Sequence, residues 1–199
     1  EKRAVDPIVP LHLFKNPVFA VAMAASLFSG AAMFAVISFM PTYLQGVVGL
    51  SPTNSGTALI PLSLSLVFGA GTSGALTKRF GYKIWMLLGF SLAFVGYLLL
   101  WHLANAGTSV SIWVAVAELI VVGLGIGFTL QTFIIAAQNA VEKRFVGVAT
   151  ASLTLFRTLG ATIGITVLGL ILNQKFVEAA NRNIDPAWLA SASANPNFT

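Results

Sequence analysis

Two ionisable residues lie inside long apolar stretches of the chain, where a charge is costly and usually serves a function. Arg157 lies about 12 residues into the stretch that begins near Phe145, roughly 18 Å along a helix axis and therefore near the middle of a membrane. Its guanidinium could pair with an acidic residue outside this chain or with an anionic group of a ligand. The alternative is a structural arginine bonded to backbone carbonyls and glutamine side chains.

Glu118 is the second such residue, about two helical turns from the outer end of another apolar stretch. A carboxyl group at this depth could carry a proton or hold a cationic ligand; alternatively, it reaches water at the nearby interface. Gln131 lies roughly 140° from Glu118 around the helix, so the two side chains should line different surfaces. The residues that share a face with Gln131 are Gly123, Gly127 and Gln138.

Small and polar residues accompany both candidates. The residues on the same helix face as Arg157 are Thr150, Thr154, Ala161 and Gly164. This face predicts that Arg157 points into a helix bundle or a central cavity. Glycines spaced four apart allow two helices to approach closely, which predicts helix packing at two places. The two pairs are Gly123 with Gly127 and Gly160 with Gly164.

The composition predicts that these stretches are membrane-spanning helices. Only 9% of the 199 residues are charged and 57% are apolar, whereas a soluble domain has about 25% charged residues. No charged residue lies between Lys15 and Lys78 or between Lys83 and Glu118. Because about 20 apolar residues cross the hydrocarbon core as a helix, the sequence predicts an all-α integral membrane protein.

Five spans can be drawn, at residues 17–45, 54–77, 83–102, 109–141 and 145–173. The predicted organisation is a lead-in at 1–16, a transmembrane domain at 17–173 and a more polar tail at 174–199. Pro41 and Pro61 are expected to bend or end the first and second helices.

The basic residues predict the orientation. Eight of them fall in the lead-in and in two loops: Lys2, Arg3, Lys15, Lys78, Arg79, Lys83, Lys143 and Arg144. The loops at 46–53 and 103–108 carry no charge. Because Lys and Arg concentrate in cytoplasmic loops, the amino end is expected inside and the tail outside. The same distribution, in short runs rather than a stripe on one helix face, argues against nucleic-acid binding despite the net charge of +5.

Several kinds of chemistry have no support in the sequence. It contains no Cys, which excludes disulfides and thiolate metal sites. His12 and His102 fall on opposite sides of the predicted membrane, so they cannot share a metal. There is no phosphate-binding glycine loop and no nucleophile–base pair. We therefore expect neither an enzyme nor a bound cofactor.

A series of short stretches carries a family resemblance. They are residues 11–16, 39–45, 49–52 with Gly56, 74–83, 123–127 with Gln138, 147–150 and 156–164. In this order and spacing they resemble the major facilitator superfamily, specifically its fourteen-span drug/proton antiporter branch of the EmrB/QacA type. The residues similar to the superfamily's loop motif are Gly74, Lys78, Arg79, Gly81 and Lys83. The family usually has an acidic residue where Lys78 stands, so a charge relay through this loop is not expected.

The resemblance implies five helices of a six-helix carboxy-terminal half bundle. The missing sixth helix would follow the tail, and the amino-terminal half of the same polypeptide would supply the proton-coupling acids. It further implies efflux of drugs or other amphipathic small molecules by alternating access, with the proton as coupling ion, in the bacterial cytoplasmic (inner) membrane. The expected partners are the lipid bilayer, the other half, the substrate and, as in some members, a periplasmic adaptor. Two alternatives stay open: export of one specific metabolite on the same fold, or a non-transporting accessory membrane subunit.

Overall fold

The computed structural model describes residues 11–106 and 111–183, and this part of the chain is almost entirely helical. The helices are α1 Pro17–Gly46, α2 Pro52–Thr57, α3 Ile60–Phe80, α4 Tyr82–Ala106, α5 Ile112–Asn139 and α6 Val146–Asn183. With α2 and α3 counted as one span, five helices are long and apolar enough to cross a membrane. The prediction of an all-α protein with five spanning helices is confirmed.

Some predicted features lie outside the described residues. These are Lys2, Arg3 and most of the lead-in, residues 107–108 of the second uncharged loop, the first two residues of the fourth predicted span (109–110), and the tail from 184 onward. The side chain of His12 is also outside the described part. The other six basic residues of the orientation argument lie at the start of α1 and in the α3–α4 and α5–α6 links, and all six are exposed.

The start of α1 is fixed by one side chain that also reaches another helix. Asn16 caps α1, because its Oδ1 accepts a hydrogen bond from the Val18 amide at 2.9 Å and Pro17 follows at the first helical position. Its Nδ2 donates to the carbonyl of Ala140, at the end of α5, at 2.8 Å. The amino end of α1 is therefore tied to the carboxyl end of α5.

The second span is divided, which differs from the predicted single helix over 54–77. Residues 58 and 59 form a turn between α2 and α3. Pro61 follows this turn at the start of α3. Because proline has no amide hydrogen, it cannot donate to the carbonyl four residues earlier. Pro41, in contrast, lies inside α1, which continues past it.

The last helix is longer than predicted. We expected the fifth span to end at Asn173 and a polar tail to follow, but α6 continues to Asn183. The added segment contains an exposed ion pair in which Lys175 Nζ lies 2.8 Å from Glu178 Oε2. Gln, Lys and Glu are good helix formers, so the change to polar residues ends the apolar span without ending the helix.

The centre of the bundle is α5. It packs along α3 and α4, and it also contacts α1 and α6, while α1 packs along α6. Two apolar clusters fill the spaces between the helices. One includes Met40, Leu44, Leu119 and Val122 toward the predicted outer end. The other includes Phe19, Met23, Phe133 and Leu153 toward the inner end.

Candidate functional site

Arg157 lies at a close contact between α6 and α1. An ideal Cβ on Gly30 would be 2.1 Å from the carbonyl oxygen of Arg157. Gly30 is near the middle of α1, so Arg157 is at mid-membrane depth, the level that its position in the sequence predicts. Its side chain is half-buried, and no hydrogen bond or ion pair reaches it from the residues that the structure describes. Arg157 is therefore a mid-membrane charge without a described partner.

The predicted polar face around Arg157 divides into two surfaces. Ala161 and Gly164 are buried, and a Cβ on Gly164 would be 2.7 Å from the Cα of Ala31 in α1. Thr154, by contrast, is exposed. The small residues of this face thus allow α1 and α6 to pack closely, and its polar residues remain accessible.

A row of threonines continues along α6 beyond the two that the sequence analysis named. Its members are Thr150, Thr154, Thr158, Thr162 and Thr166. Each hydroxyl donates to the carbonyl four residues earlier, at 2.8–3.1 Å, and the last four are exposed. Steps of four residues advance about 40° around a helix, so the row winds outward from the α1 contact. The constant spacing was the signal in the sequence that could have found it.

The two candidate glutamines lie on the side of α5 that faces α3 and α6. Gln138 Nε2 donates to Thr150 Oγ1 at 2.9 Å, which joins α5 to α6. Gln131 packs over Gly74 of α3, where an ideal Cβ would be 3.2 Å from its Cγ. The structure therefore brings Gln138 to the threonine row on α6, whereas Gln131 lies against α3.

Glu118 lies on the other side of α5, against α4. The residue is only 6% exposed, and its Oε2 is buried without a hydrogen-bond partner among the described residues. His102 of α4 is close enough for electrostatic interaction with it. As the helical spacing predicts, Glu118 and Gln131 do not share a surface. The sequence did not reveal His102 as a neighbour, because the contact depends on how α4 packs on α5.

The candidate glycines lie at the closest helix contacts. Ideal Cβ atoms on Gly123 and Gly127 would be 2.5 and 2.3 Å from backbone carbonyl oxygens of α3. One on Gly160 would be 1.8 Å from the Leu27 carbonyl oxygen of α1. At these positions any side chain would separate the helices.

The loop motif forms a basic link of one residue between α3 and α4. Gly81 has φ +77° and ψ 160°, a conformation that is essentially restricted to glycine. Lys78, Arg79 and Lys83 are exposed, and the Arg79 guanidinium lies 5.6 Å from the Phe80 ring centroid. No acidic side chain in residues 11–106 or 111–183 pairs with the loop.

An apolar groove runs between α1, α4 and α6. Its larger part has a volume of about 540 Å³, and its lining includes Phe39, Met40, Tyr43, Tyr97, Leu100 and Leu172. A smaller part of about 360 Å³ continues between α1, α4 and α5 and shares Ala32 and Tyr97 with the first. The Tyr43 hydroxyl donates to the Leu103 carbonyl at 3.0 Å, joining α1 to α4 beside the groove. Such a groove suits an apolar helix better than a charged ligand.

Five helices long and apolar enough to span a membrane, packed closely through glycines, are the features of a multi-pass membrane protein. The sequence matches the Major Facilitator Superfamily over residues 1–165, and the chain belongs to this family. The family is one of transporters, not enzymes.

Several relatives carry names that describe export. The chain is 34% identical to Multidrug transporter protein MdtP of Bacillus subtilis, over 88% of this chain and 32% of the relative. It is 29% identical to Multidrug resistance protein 3 of the same organism, over 91% and 35% respectively. It is 33% identical to the Aspyridones efflux protein of Neocamarosporium betae, over 87% and 30%. The chain spans about a third of the length of these relatives.

Proposed function

We propose that the chain forms five of the six helices of the carboxy-terminal half of a fourteen-span exporter of the EmrB/QacA type. The whole protein would export drugs or other amphipathic, often cationic, compounds across the bacterial cytoplasmic membrane in exchange for protons. Names of two relatives refer to multidrug transport or resistance, which supports this substrate class. Because the chain spans about a third of each relative, the activity is assigned to the longer polypeptide.

The observation that carries the proposal is that Arg157, at mid-membrane depth beside exposed threonine hydroxyls, has no partner among the described residues. A guanidinium at the bilayer centre is strongly unfavourable unless it faces water or an opposite charge. In transporters built from two repeats, the substrate site lies near the midplane at the interface of the repeats. We therefore place this part of α6 on the transport pathway, with an acidic residue of the amino-terminal half as the partner of Arg157.

The apolar groove supports the proposal that one more helix belongs to this half. In the bundle, α3 and α4 both pack along α5, whereas only α6 packs along α1 with comparable extent. Suppose that the half is a repeat of three helices, in which α1 corresponds to α5, α3 to α6, and α4 to a further helix. That further helix would then cover α1 as α4 covers α5. The groove between α1, α4 and α6 is in the required place and is lined almost entirely by apolar side chains.

Transport would occur by alternating access without a cofactor. Protonation of acidic groups would shift the equilibrium between the inward-facing and outward-facing forms and lower the affinity for the exported compound. Gln131 and Gln138 supply neutral donors and acceptors near α3 and α6, which suits substrates of varied structure. That a periplasmic adaptor binds the whole transporter stays a prediction from the family resemblance.

The test uses the full-length transporter in proteoliposomes with an imposed pH gradient and a fluorescent lipophilic cation. Arg157→Ala should abolish gradient-driven dye transport while its level in the membrane stays normal. Leu159→Ala is the matched control, because Leu159 is two residues away and 46% exposed. Its transport should match the wild type. Unchanged transport by Arg157→Ala would remove Arg157 from the mechanism.

A second candidate function is export of one specific metabolite. The Aspyridones efflux protein has a name that refers to a defined class of compounds rather than to many drugs. Transport measured against a panel of unrelated cationic dyes and a panel of metabolites distinguishes the two. Export of several unrelated dyes supports the multidrug proposal, and export of a single metabolite with no dye transport supports the alternative.

A further inference from the structure

We propose that Glu118 binds the transported proton from the extracytoplasmic side, and that His102 delivers it. This inference rests on the proposed proton-coupled export, and it places a proton-binding group at the α4–α5 contact rather than on the surface that carries Arg157. It is argued from the burial of Glu118, the packing around it and the position of His102.

The burial of Glu118 favours a group that holds a proton. The residue is 6% exposed, and the buried residues of the neighbouring cluster, such as Leu103, Ala115 and Leu119, are apolar. Its Oε2 has no hydrogen-bond partner in the described part of the chain. An ionised carboxylate with a buried oxygen that accepts no hydrogen bond is costly, whereas the neutral acid is much less so. The closed α4–α5 contact therefore suits the protonated side chain.

The packing closes the route from the cytoplasmic side. Further inward than Glu118, an ideal Cβ on Gly96 of α4 would be 3.0 Å from the Val122 nitrogen of α5. One turn further in, a Cβ on Gly125 would be 2.4 Å from the Ala93 nitrogen. Backbones this close leave no space for water at these two contacts. In the proposed route, the proton therefore reaches Glu118 from the outer end of the α4–α5 contact.

His102 occupies that outer end. It is exposed and within electrostatic range of Glu118, and histidine exchanges protons readily near neutral pH. In the proposed step, an imidazolium N–H bond of His102 breaks and an O–H bond forms on the Glu118 carboxylate. A positive and a negative group thereby become two neutral groups.

Three other titratable side chains lie near this end. Tyr43 of α1 donates its hydroxyl to the Leu103 carbonyl. Tyr97 of α4 lines the groove, and its buried hydroxyl has no hydrogen-bond partner among the described residues. Lys175 of α6 also lines the groove and is paired with Glu178 at 2.8 Å. From residue 60 to residue 77, α3 presents no titratable side chain to α5. Of the described groups, His102 is the one that interacts electrostatically with Glu118.

The first experiment compares two modes of transport in full-length protein reconstituted into proteoliposomes. Dye accumulation driven by a pH gradient requires proton binding, whereas exchange of labelled for unlabelled dye at equal pH does not. Glu118→Gln should lower gradient-driven accumulation by about tenfold or more, the range of a typical coupling free energy, and leave exchange close to wild type. Glu118→Asp should restore part of the coupling, and His102→Asn should shift the external pH at which accumulation is half-maximal.

The outcomes separate this inference from the function on which it rests. Wild-type accumulation by Glu118→Gln, or loss of both accumulation and exchange, would overturn the inference alone. A wild-type protein that moves no dye under a pH gradient would overturn the proposed function and this inference with it.

A second measurement needs no variant. A hydrophobic carbodiimide reacts with protonated carboxyl groups in apolar surroundings, and mass spectrometry identifies the labelled peptide. Glu118 should be labelled in the wild-type protein, and labelling should fall as the external pH rises. Glu142 and Glu178 are matched controls, because both are exposed and paired with basic side chains. Absence of labelling at Glu118, or labelling that does not change with external pH, would overturn the inference.

Discussion

Gly160 offers the sharpest test of how α1 and α6 pack. An ideal Cβ at this position would be 1.8 Å from the carbonyl oxygen of Leu27 and 2.6 Å from its carbonyl carbon. Both contacts are with backbone atoms, so no side-chain rotation can relieve them. Gly160→Ala must therefore move α6 away from α1 or distort one of the two helices.

The size of the effect follows from these distances. A carbon–oxygen contact requires about 3.3 Å, so the helices would have to separate by roughly 1.5 Å. A gap of about 0.5–1 Å already forfeits a quarter to a half of the dispersion energy at a contact. Overpacking of this kind costs about 1–3 kcal/mol, while alanine regains at most about 1 kcal/mol through its higher helix propensity. We expect a net destabilisation of roughly 1–2 kcal/mol.

The assay is thermal unfolding of the full-length protein in detergent, followed by tryptophan fluorescence. Gly160→Ala should lower the apparent midpoint by several degrees. Gly147→Ala is the control in the same helix, because a Cβ there would meet nothing within 4 Å, and it should leave the midpoint unchanged or slightly higher. If Gly160→Ala is as stable as the wild type while Gly147→Ala behaves as expected, the close α1–α6 contact is refuted.

Two further substitutions test the links between helices by the same assay. Gly81→Ala should lower the free energy of unfolding by about 1–3 kcal/mol, because alanine is strained at φ +77° and ψ 160°. Gly71→Ala is the control within a helix, because a Cβ there would meet nothing within 4 Å. Equal midpoints for the two variants would contradict the assigned turn at Gly81. Asn16→Ala should cost about 1–2 kcal/mol through loss of the α1 cap and of the bond to the Ala140 carbonyl. Asn16→Asp keeps the cap and loses the bond, so its midpoint should fall between those of the wild type and the alanine variant.

Features that depend on local composition could be predicted from the sequence. Uninterrupted apolar stretches gave the five spans, and the count of residues from the start of the last span placed Arg157 at mid-depth. Helical spacing also separated Glu118 from Gln131, because residues on one helix keep a fixed angular relation. The errors occurred at ends and breaks. The turn before Pro61 divided a span drawn as one helix, and helix-forming polar residues carried α6 ten residues past Asn173 to Asn183.

Features that depend on pairs of helices could not be predicted. The bond from Asn16 to Ala140 joins residues 124 apart, and the bond from Tyr43 to Leu103 joins residues 60 apart. The proximity of His102 to Glu118 depends on the register of α4 on α5. A single sequence shows which side chains can interact but not which helices become neighbours. The face drawn around Arg157 was incomplete for the same reason, because packing on α1 divided it.

The central position of α5 has a consequence for how the protein is made. Helices enter the membrane from the ribosome in chain order, and α3 and α4 pack mainly along α5 while α1 packs mainly along α6, rather than along one another. These three spans therefore reach the bilayer before α5 and α6, along which they pack, have been synthesised. Until then, the close-approach surfaces at Gly69 of α3 and Gly96 of α4 face lipid or a chaperone. Premature termination before Ile112 would leave α1, α3 and α4 without the helices along which they pack.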